Sequence, residues 1–379
     1  MTNIIYSRKI TDTEGHNLSI NLLKETFKGA INIRKSLEAH KKKIAYFFID
    51  PLLNGFEAAN EFYFNVLECQ SIDKINTYKS GASPIQALTD AKELIDGGLY
   101  DAVFVFGHEP LLTNKKIYGK NEVTKAMNIF EEQSIIQCYN EIAHTLCSRL
   151  GLSEKEFMAL SDKLFLNYRK TYQHVTGMEV SDDRGRQLDD QHGDLFKLTD
   201  CANPNIDFSG GVILVNDEVA SLLQIPAKDK IRVTGANYSM VEGSPEKIDA
   251  IVGKKDNLFP HLRNAFLQAQ THSSIDIAAE FQNGNLFLEV YTCYPPVPIA
   301  FLLTTGLITN IDQLPDLLET HEMTITGGMN LARAPWNNPA LNGMIDMYHK
   351  MRECTKRYGL VHGNGGIAET QGVVILEKN

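Results

Sequence analysis

The chain has 379 residues, 43% of them hydrophobic and 22% charged, with a formal net charge of −10. That length suits two domains, and the composition is that of a folded globular protein. The acid excess argues against a general nucleic-acid or membrane-surface role, since both need a basic face, but it leaves room for a local basic pocket.

The first residues, Met1-Thr-Asn-Ile-Ile-Tyr-Ser-Arg-Lys, hold no long apolar core and do not read as a secretory signal; residues 1–10 read as a short strand. Leu18 to Ala39 has apolar residues at helical spacing, closed by Lys41-Lys-Lys. Ile44 to Ile49 is an apolar strand, Phe56 to Leu67 a second helix, and Ile72 to Tyr78 another strand. Lys79 to Ala82 turn sharply. Ser83 is placed to cap the next helix, with Pro84 at its first position, and Gly97-Gly98 end it. Ala102 to Phe106 is a continuous apolar run of the kind buried on both faces. This alternation predicts a parallel or mixed sheet covered by helices.

Residues 108–200 interrupt the pattern. Glu131 to Leu150 and Ser153 to Tyr172 read as two amphipathic helices joined at Gly151, with Ser153-Glu-Lys-Glu156 as a capping box. The polar stretch 174–195 reads either as a solvated insertion or as a lid over a ligand pocket. The strand Gly211 to Val215 closes the first sheet. From about residue 228 strands and helices alternate again: strand Ile231 to Val233, helix Leu258 to Gln270, strand Leu286 to Tyr291, helix Pro298 to Leu307. Strand Met323 to Thr326, helix Asn338 to Tyr358, and strands Leu360 to His362 and Val373 to Leu376 follow. Six cysteines (69, 138, 147, 201, 293, 354) without a CxxC pair speak against a zinc site or disulfide framework and for a reducing, cytoplasmic setting. No apolar run approaches the ~20 residues of a membrane span.

Four stretches carry a resemblance. Tyr78-Lys-Ser-Gly-Ala-Ser-Pro84, running on to Gly97-Gly-Leu-Tyr-Asp-Ala-Val-Phe-Val-Phe-Gly-His-Glu109, resembles the nucleophile segment of the thiolase superfamily, most of all its sterol-carrier-protein-type branch. The family's acyl-accepting cysteine falls on Gly81, and the Gly81-Ala-Ser-Pro84 form is similar to thiolase-like proteins labelled acetyl-CoA acetyltransferases. Ser83 reads as a cap or as a substitute group in that turn. Tyr291-Thr-Cys-Tyr294 falls on the His-Asp-Cys-Phe motif, so Cys293 keeps an acid/base position and Tyr291 replaces the histidine. A tyrosine is catalytic there in the thiolase-like retro-aldolases. Thr324-Ile-Thr-Gly-Gly-Met-Asn-Leu-Ala-Arg-Ala-Pro335 falls on the Gly-Gly…Gly-His-Pro loop; Gly327-Gly328 and Pro335 are kept and the catalytic histidine falls on Ala334. Gly359-Leu-Val-His-Gly-Asn-Gly-Gly366 lacks the Cys-x-Gly of other thiolases, but His362 matches a histidine of the sterol-carrier-type branch, and Asn364 and Gly365 lie in a glycine loop able to approach an oxyanion closely.

The resemblance implies an α/β thiolase fold. It would comprise two duplicated mixed-sheet halves in an α-β-α-β-α arrangement, residues 1–227 (with 108–200 inserted as a helical loop domain) and 228–379. It implies an acyl-CoA or acyl-carrier thioester as substrate or ligand, with no bound cofactor or metal. It also implies a homodimer and a small OB-fold/zinc-ribbon or thiolase-like partner. Two functions stay open. One is an acyltransferase-like or C–C bond forming or cleaving enzyme, retro-aldolase included, that works without the usual cysteine. The other is a non-catalytic subunit that binds acyl-CoA or scaffolds a partner. Cys293, His362 and Tyr291 are the candidate catalytic groups; Gly81, Ser83, Asn364, Gly365 and Gly328 are the candidates for oxyanion or CoA binding.

Overall fold

In the computed structural model, which describes residues 1–15, 19–68, 74–128, 133–189, 193–243 and 248–378, the apolar runs become the inner strands of one mixed sheet. In chain order the strands are β1 (Thr2–Asp12), β2 (Ile44–Ile49), β3 (Ile75–Tyr78), β4 (Ala102–Pro110), β5 (Asp207–Asn216), β6 (Ile231–Met240), β7 (Leu286–Glu289), β8 (Tyr358–Gly365) and β9 (Thr370–Lys378). Their order across the sheet is β3-β2-β4-β5-β1-β6-β9-β8-β7.

The order contains a repeat. β2 and β4 are parallel, β4 and β5 antiparallel, β5 and β1 antiparallel. Likewise β7 and β8 are parallel, β8 and β9 antiparallel, β9 and β6 antiparallel. The two sets meet between β1 and β6, through Asn3↔Arg232 and Ile4↔Ile231.

Seven helices position the site: α1 (Ser19–Ala39), α2 (Ser83–Asp96), α3 (Ile135–Leu150), α4 (Glu154–Thr176), α5 (Pro260–Ser273), α6 (Pro296–Thr304) and α7 (Pro339–Glu353). Alternation along the strands sorts them into layers. Ala45, Phe47 and Ile49 of β2 pack in one core with Ile85 and Leu88 of α2, Met344 and Met347 of α7, and Val374 of β9. Tyr46 and Phe48, on the other face of β2, pack with Phe27 of α1. In the second half, Val361 of β8 joins the shared central core, while Leu360 packs outward with Phe266 of α5 and Phe301 of α6. The helices α2 and α7 thus fill the space between two sheet faces, giving α-β-α-β-α layering. Phe47 and Phe48 are both fully buried, which requires helices on both faces and stabilises by about 2–3 kcal/mol per side chain.

Several boundaries differ from the sequence reading. Met323 to Thr326 is no strand. The carboxylate of Glu289 takes the N–H groups of Ile325 (2.8 Å) and Thr326 (3.2 Å), which a neighbouring strand would otherwise use, and only Val290 N–H reaches Met323 O (3.2 Å). Phe56 to Leu67 divides into an α-helix, Gly55–Asn60, and a π-helical turn, Glu61–Val66. The helix expected to reach Tyr358 ends at Glu353. The Ser153 capping box forms as expected: its hydroxyl accepts Glu156 N–H at 3.3 Å, and Glu156 accepts Ser153 N–H at 2.8 Å. Cys69, Ile72 and Glu131-Glu132 lie outside the described residues. No described helix is long and apolar enough to cross a membrane.

Candidate active site

β3 ends at Tyr78 and the chain turns through Lys79-Ser80-Gly81-Ala82 into α2. Ser83 N–H donates to Ser80 O at 3.1 Å, closing the turn so tightly that Ser83 already belongs to the helix. This corrects the capping role expected for Ser83: Ala82 is the cap residue, no side chain caps, and the buried Ser83 hydroxyl lies 3.2 Å from that of Ser80. Among the described residues, the N–H groups of Gly81 and Ala82 donate to no backbone acceptor. Ala82 is fully buried, which leaves the Gly81 N–H as the one placed to meet an oxyanion.

A cavity of about 720 Å³ opens against this turn, a size suited to a drug-sized ligand. Its walls come from several elements: Lys79, Ser80 and Gly81 of the turn, Ser134, Ile135, Ile136 and Tyr139 at the start of α3, the 201–205 segment, Tyr291 and Cys293 beyond β7, and Asn364 of β8. The inserted segment therefore supplies one wall.

Tyr291 is the neighbour of Gly81 that matters most. A Cβ placed on Gly81 would fall well inside contact distance of the Tyr291 hydroxyl and the Asn364 carbonyl oxygen. The room in which a side chain at 81 would stand is taken by the phenol. Burial, and after it the nearby Cys293, holds the Tyr291 hydroxyl well above its ordinary pKa. It is a neutral hydrogen-bond donor aimed at the turn. Cys293 stands two residues on, its amide nitrogen neighbour Asn364 Nδ2 being 3.7 Å from the sulfur. Burial pushes its thiol up to about 12, partly offset by Tyr139, so the sulfur holds its proton near neutrality.

His362 is 1% exposed and lies behind this wall. Its Nδ1 accepts Tyr291 N–H at 3.3 Å and its Nε2 donates to Gln371 Oε1 at 2.6 Å, while Phe301 stacks on the ring at 4.5 Å. Burial lowers its pKa to about 3. With both nitrogens engaged inside the protein, this candidate catalytic group has the geometry of a side chain that positions the Tyr291 backbone. From Gln371 the network continues. Gln371 Nε2 donates to Asn364 Oδ1, Asn364 Nδ2 to the Tyr139 hydroxyl at 2.7 Å, and Tyr139 to Gly366 O at 3.0 Å. Tyr139 also stacks on Tyr294, ring centres 4.4 Å apart.

Of the residues singled out in the sequence, Gly81, Tyr291, Cys293 and Asn364 meet on the cavity wall, and Ala334 and Trp336 lie on it too. Gly365 packs behind, where a Cβ would approach Ser80 Oγ to 2.9 Å. Gly328 does not reach the cavity; at φ +83° it lets its loop pass beneath Tyr168 of α4. Sequence reasoning missed Tyr139, Gln371, Cys201 and Glu369. Cys201 faces the same cavity, its thiol also pushed up to about 12 by burial, with Ala202 N–H bonded to Cys293 O at 2.9 Å. Nothing in the spacing around Tyr139 marks it out. Glu369 is an acid three residues beyond a Gly-Gly turn, a signal that was there to be read.

No family model and no curated protein matches the sequence. Solved structures are similar in fold, across 100% of this chain. A monomeric SCP2-thiolase-like protein type 1 from Mycobacterium smegmatis matches at a TM-score of 0.72 with 17% identity, over 77% of its own length. An Ltp2-ChsH2(DUF35) aldolase matches at 0.71 with 12% identity, over 97% of its length. The human mitochondrial 3-ketoacyl-CoA thiolase matches at 0.71 with 12% identity, over 99%. The chain has the thiolase-superfamily fold.

Proposed function

We propose that this protein acts on acyl thioesters of coenzyme A or a carrier protein, making or breaking a C–C bond or moving an acyl group without a cysteine acyl-enzyme at the 79–82 turn. The observation that carries the reading is the Tyr291 hydroxyl standing in the room above Gly81, with the Cys293 thiol and Asn364 on the same wall. Tyr291 and the Gly81 N–H would hold the thioester oxygen, and Cys293, protonated, would return a proton to carbon. The likeness to an aldolase and a thiolase supports this class, retro-aldol cleavage included. The test is acyl-CoA turnover by wild type and Cys293→Ala: turnover lost with binding kept supports the enzyme.

A second reading, a binding or scaffolding subunit, is favoured by one feature: neither cavity thiol is activated, and His362 is fully engaged. Binding without turnover in wild type and variant alike would select it. A homodimer through the open edge of β3, where Ile75 is exposed, is proposed as well. So is a small OB-fold/zinc-ribbon partner, since one structural neighbour is named with a DUF35 component and another is named monomeric. A cytoplasmic location is part of the same reading.

A further inference from the structure

A carboxylate opens on the same cavity from the turn 366–369, which joins β8 to β9. Among the described residues Glu369 is the one acidic group in the lining. The turn is strained and tightly held. Ala368 adopts φ +74°, a conformation that costs a residue with a Cβ. Its N–H donates to Gly365 O at 3.0 Å, and its carbonyl accepts from His261 Nε2 at 2.7 Å and Gln371 Nε2 at 3.3 Å. Strain kept in place by buried side chains is the pattern of functional turns. Here it folds the Glu369 side chain back over Gly366, where a Cβ would collide with the carboxylate. Oε2 accepts Ile367 N–H at 2.6 Å, and no described cation pairs with the group. Burial accordingly raises its pKa above the ordinary carboxylate value, which makes it a stronger base. The preceding residues Asn364 and Gly365 pack directly on the 80–82 turn, and Glu369, Gly81 and Tyr291 line the same cavity.

We propose that Glu369 is the base of this site, taking the α-proton of an acyl thioester whose carbonyl oxygen is held by the Tyr291 hydroxyl and the Gly81 N–H. The proposal rests on the acyl-thioester reading above. In the step, the α-C–H bond breaks and its electron pair forms the C=C bond of the enolate. The carbonyl π pair moves to oxygen, and the proton forms the O–H bond of the Glu369 carboxylic acid. Reversal with a solvent-derived proton restores the thioester, so no oxidant, reductant or co-reactant is needed.

The experiment incubates the full chain in D₂O with acetyl-CoA or propionyl-CoA and follows deuterium at the α-carbon by mass spectrometry, with calorimetric binding of the same compounds alongside. Wild type is expected to exchange. Glu369→Gln, which keeps an acceptor for Ile367 N–H, is expected to slow exchange about 100-fold or more with binding changed less than about threefold, and Glu369→Asp to fall between. Glu369→Ala replaces the glutamine variant should that one not fold. Exchange at the wild-type rate in Glu369→Gln, together with its loss in Tyr291→Phe, would overturn the base assignment while leaving the thioester reading intact. Binding without exchange in wild type overturns both the base and the enzyme reading, leaving the binding subunit. An absence of binding by either compound removes the thioester reading itself.

Discussion

Replacing Gly81 with alanine tests whether the Tyr291 phenol has taken the space over the turn. The new Cβ would sit about 1 Å closer than ordinary contact to both the Tyr291 hydroxyl and the Asn364 carbonyl oxygen. The two obstacles are unequal. The hydroxyl ends a side chain whose backbone His362 holds; the carbonyl belongs to β8, paired to β9 at Asn364↔Gln371. Overpacking against such neighbours costs about 1–3 kcal/mol. With a sheet backbone as one of them, the expected loss is about 2–3 kcal/mol. Urea denaturation at pH 7, followed through Trp336, the only tryptophan and itself on the cavity wall, measures it. Adding Tyr291→Phe removes one obstacle and leaves the other, so the double variant should be more stable than the sum of the singles by about 1 kcal/mol. Gly81→Cys, incubated with acetyl-CoA, should gain no acetyl group by intact-mass measurement. An alanine variant within about 0.5 kcal/mol of wild type, or ready acetylation of the cysteine variant, would show that the space is open and the reasoning wrong.

Further outcomes follow from the same structure. Alkylation of Cys293 by iodoacetamide, located by peptide mass spectrometry, should be slow at pH 7 and rise about tenfold per pH unit toward pH 10, because its thiol titrates near 12. Buried Glu109, which accepts Leu52 N–H at 3.0 Å, has its pKa raised by burial to about 8. The native state therefore binds the extra proton. The group's contribution is full below about 4.5 and lost as pH rises through 8, with a ceiling of about 5 kcal/mol at ~1.4 kcal/mol per pH unit. Glu109→Gln should flatten stability between pH 5 and 8, as read by denaturation at each pH. His362→Ala, which leaves Tyr291 N–H and Gln371 without their partner, should cost about 3 kcal/mol and lower acyl-CoA turnover with it. Ser153→Ala should cost about 1 kcal/mol through loss of the α4 cap.

The sequence made the layers legible because burial on both faces leaves a plain mark. Ile44 to Ile49 and Ala102 to Phe106 have no polar alternation, and each proves to divide its side chains between two cores. Segments whose hydrogen bonds go to side chains left no such mark. Met323 to Thr326 reads as a strand because nothing local reveals that Glu289 takes its N–H groups. Ser83 reads as a cap because the tightness of the Ser80 turn depends on the hairpin at Gly365 packed against it. At the site, Gly81, Tyr291 and Cys293 could be named from motif position, but why Gly81 is glycine could not. Its constraint comes from Tyr291 and Asn364, 210 and 283 residues away in the chain. For His362 the motif gives the position, and only Gln371 and the Tyr291 backbone reveal that both ring nitrogens are engaged.

The chemistry open to this cavity is narrowed by its electrostatics. A covalent route requires a thiolate within reach of the acyl carbon. Among the described residues the thiols on the wall are Cys201 and Cys293, and burial pushes both up to about 12, so both hold their protons near neutrality. A neighbouring histidine could lift the thiolate fraction, but His362 faces away with its lone pair occupied and a pKa near 3, and position 334 is an alanine. Among the described residues, the lining keeps neutral donors, the Tyr291 phenol and the Gly81 N–H, together with the Lys79 ammonium and one carboxylate, Glu369, made more basic by burial. Neutral donors stabilise an enolate oxygen without first having to be ionised, and a basic carboxylate supplies the charge that the enolate acquires. Proton transfer to and from carbon is the reaction that the proposed base and donors would favour. On the proposed reading, the Tyr291 phenol standing over Gly81 would favour non-covalent enolate chemistry over acyl capture at residue 81.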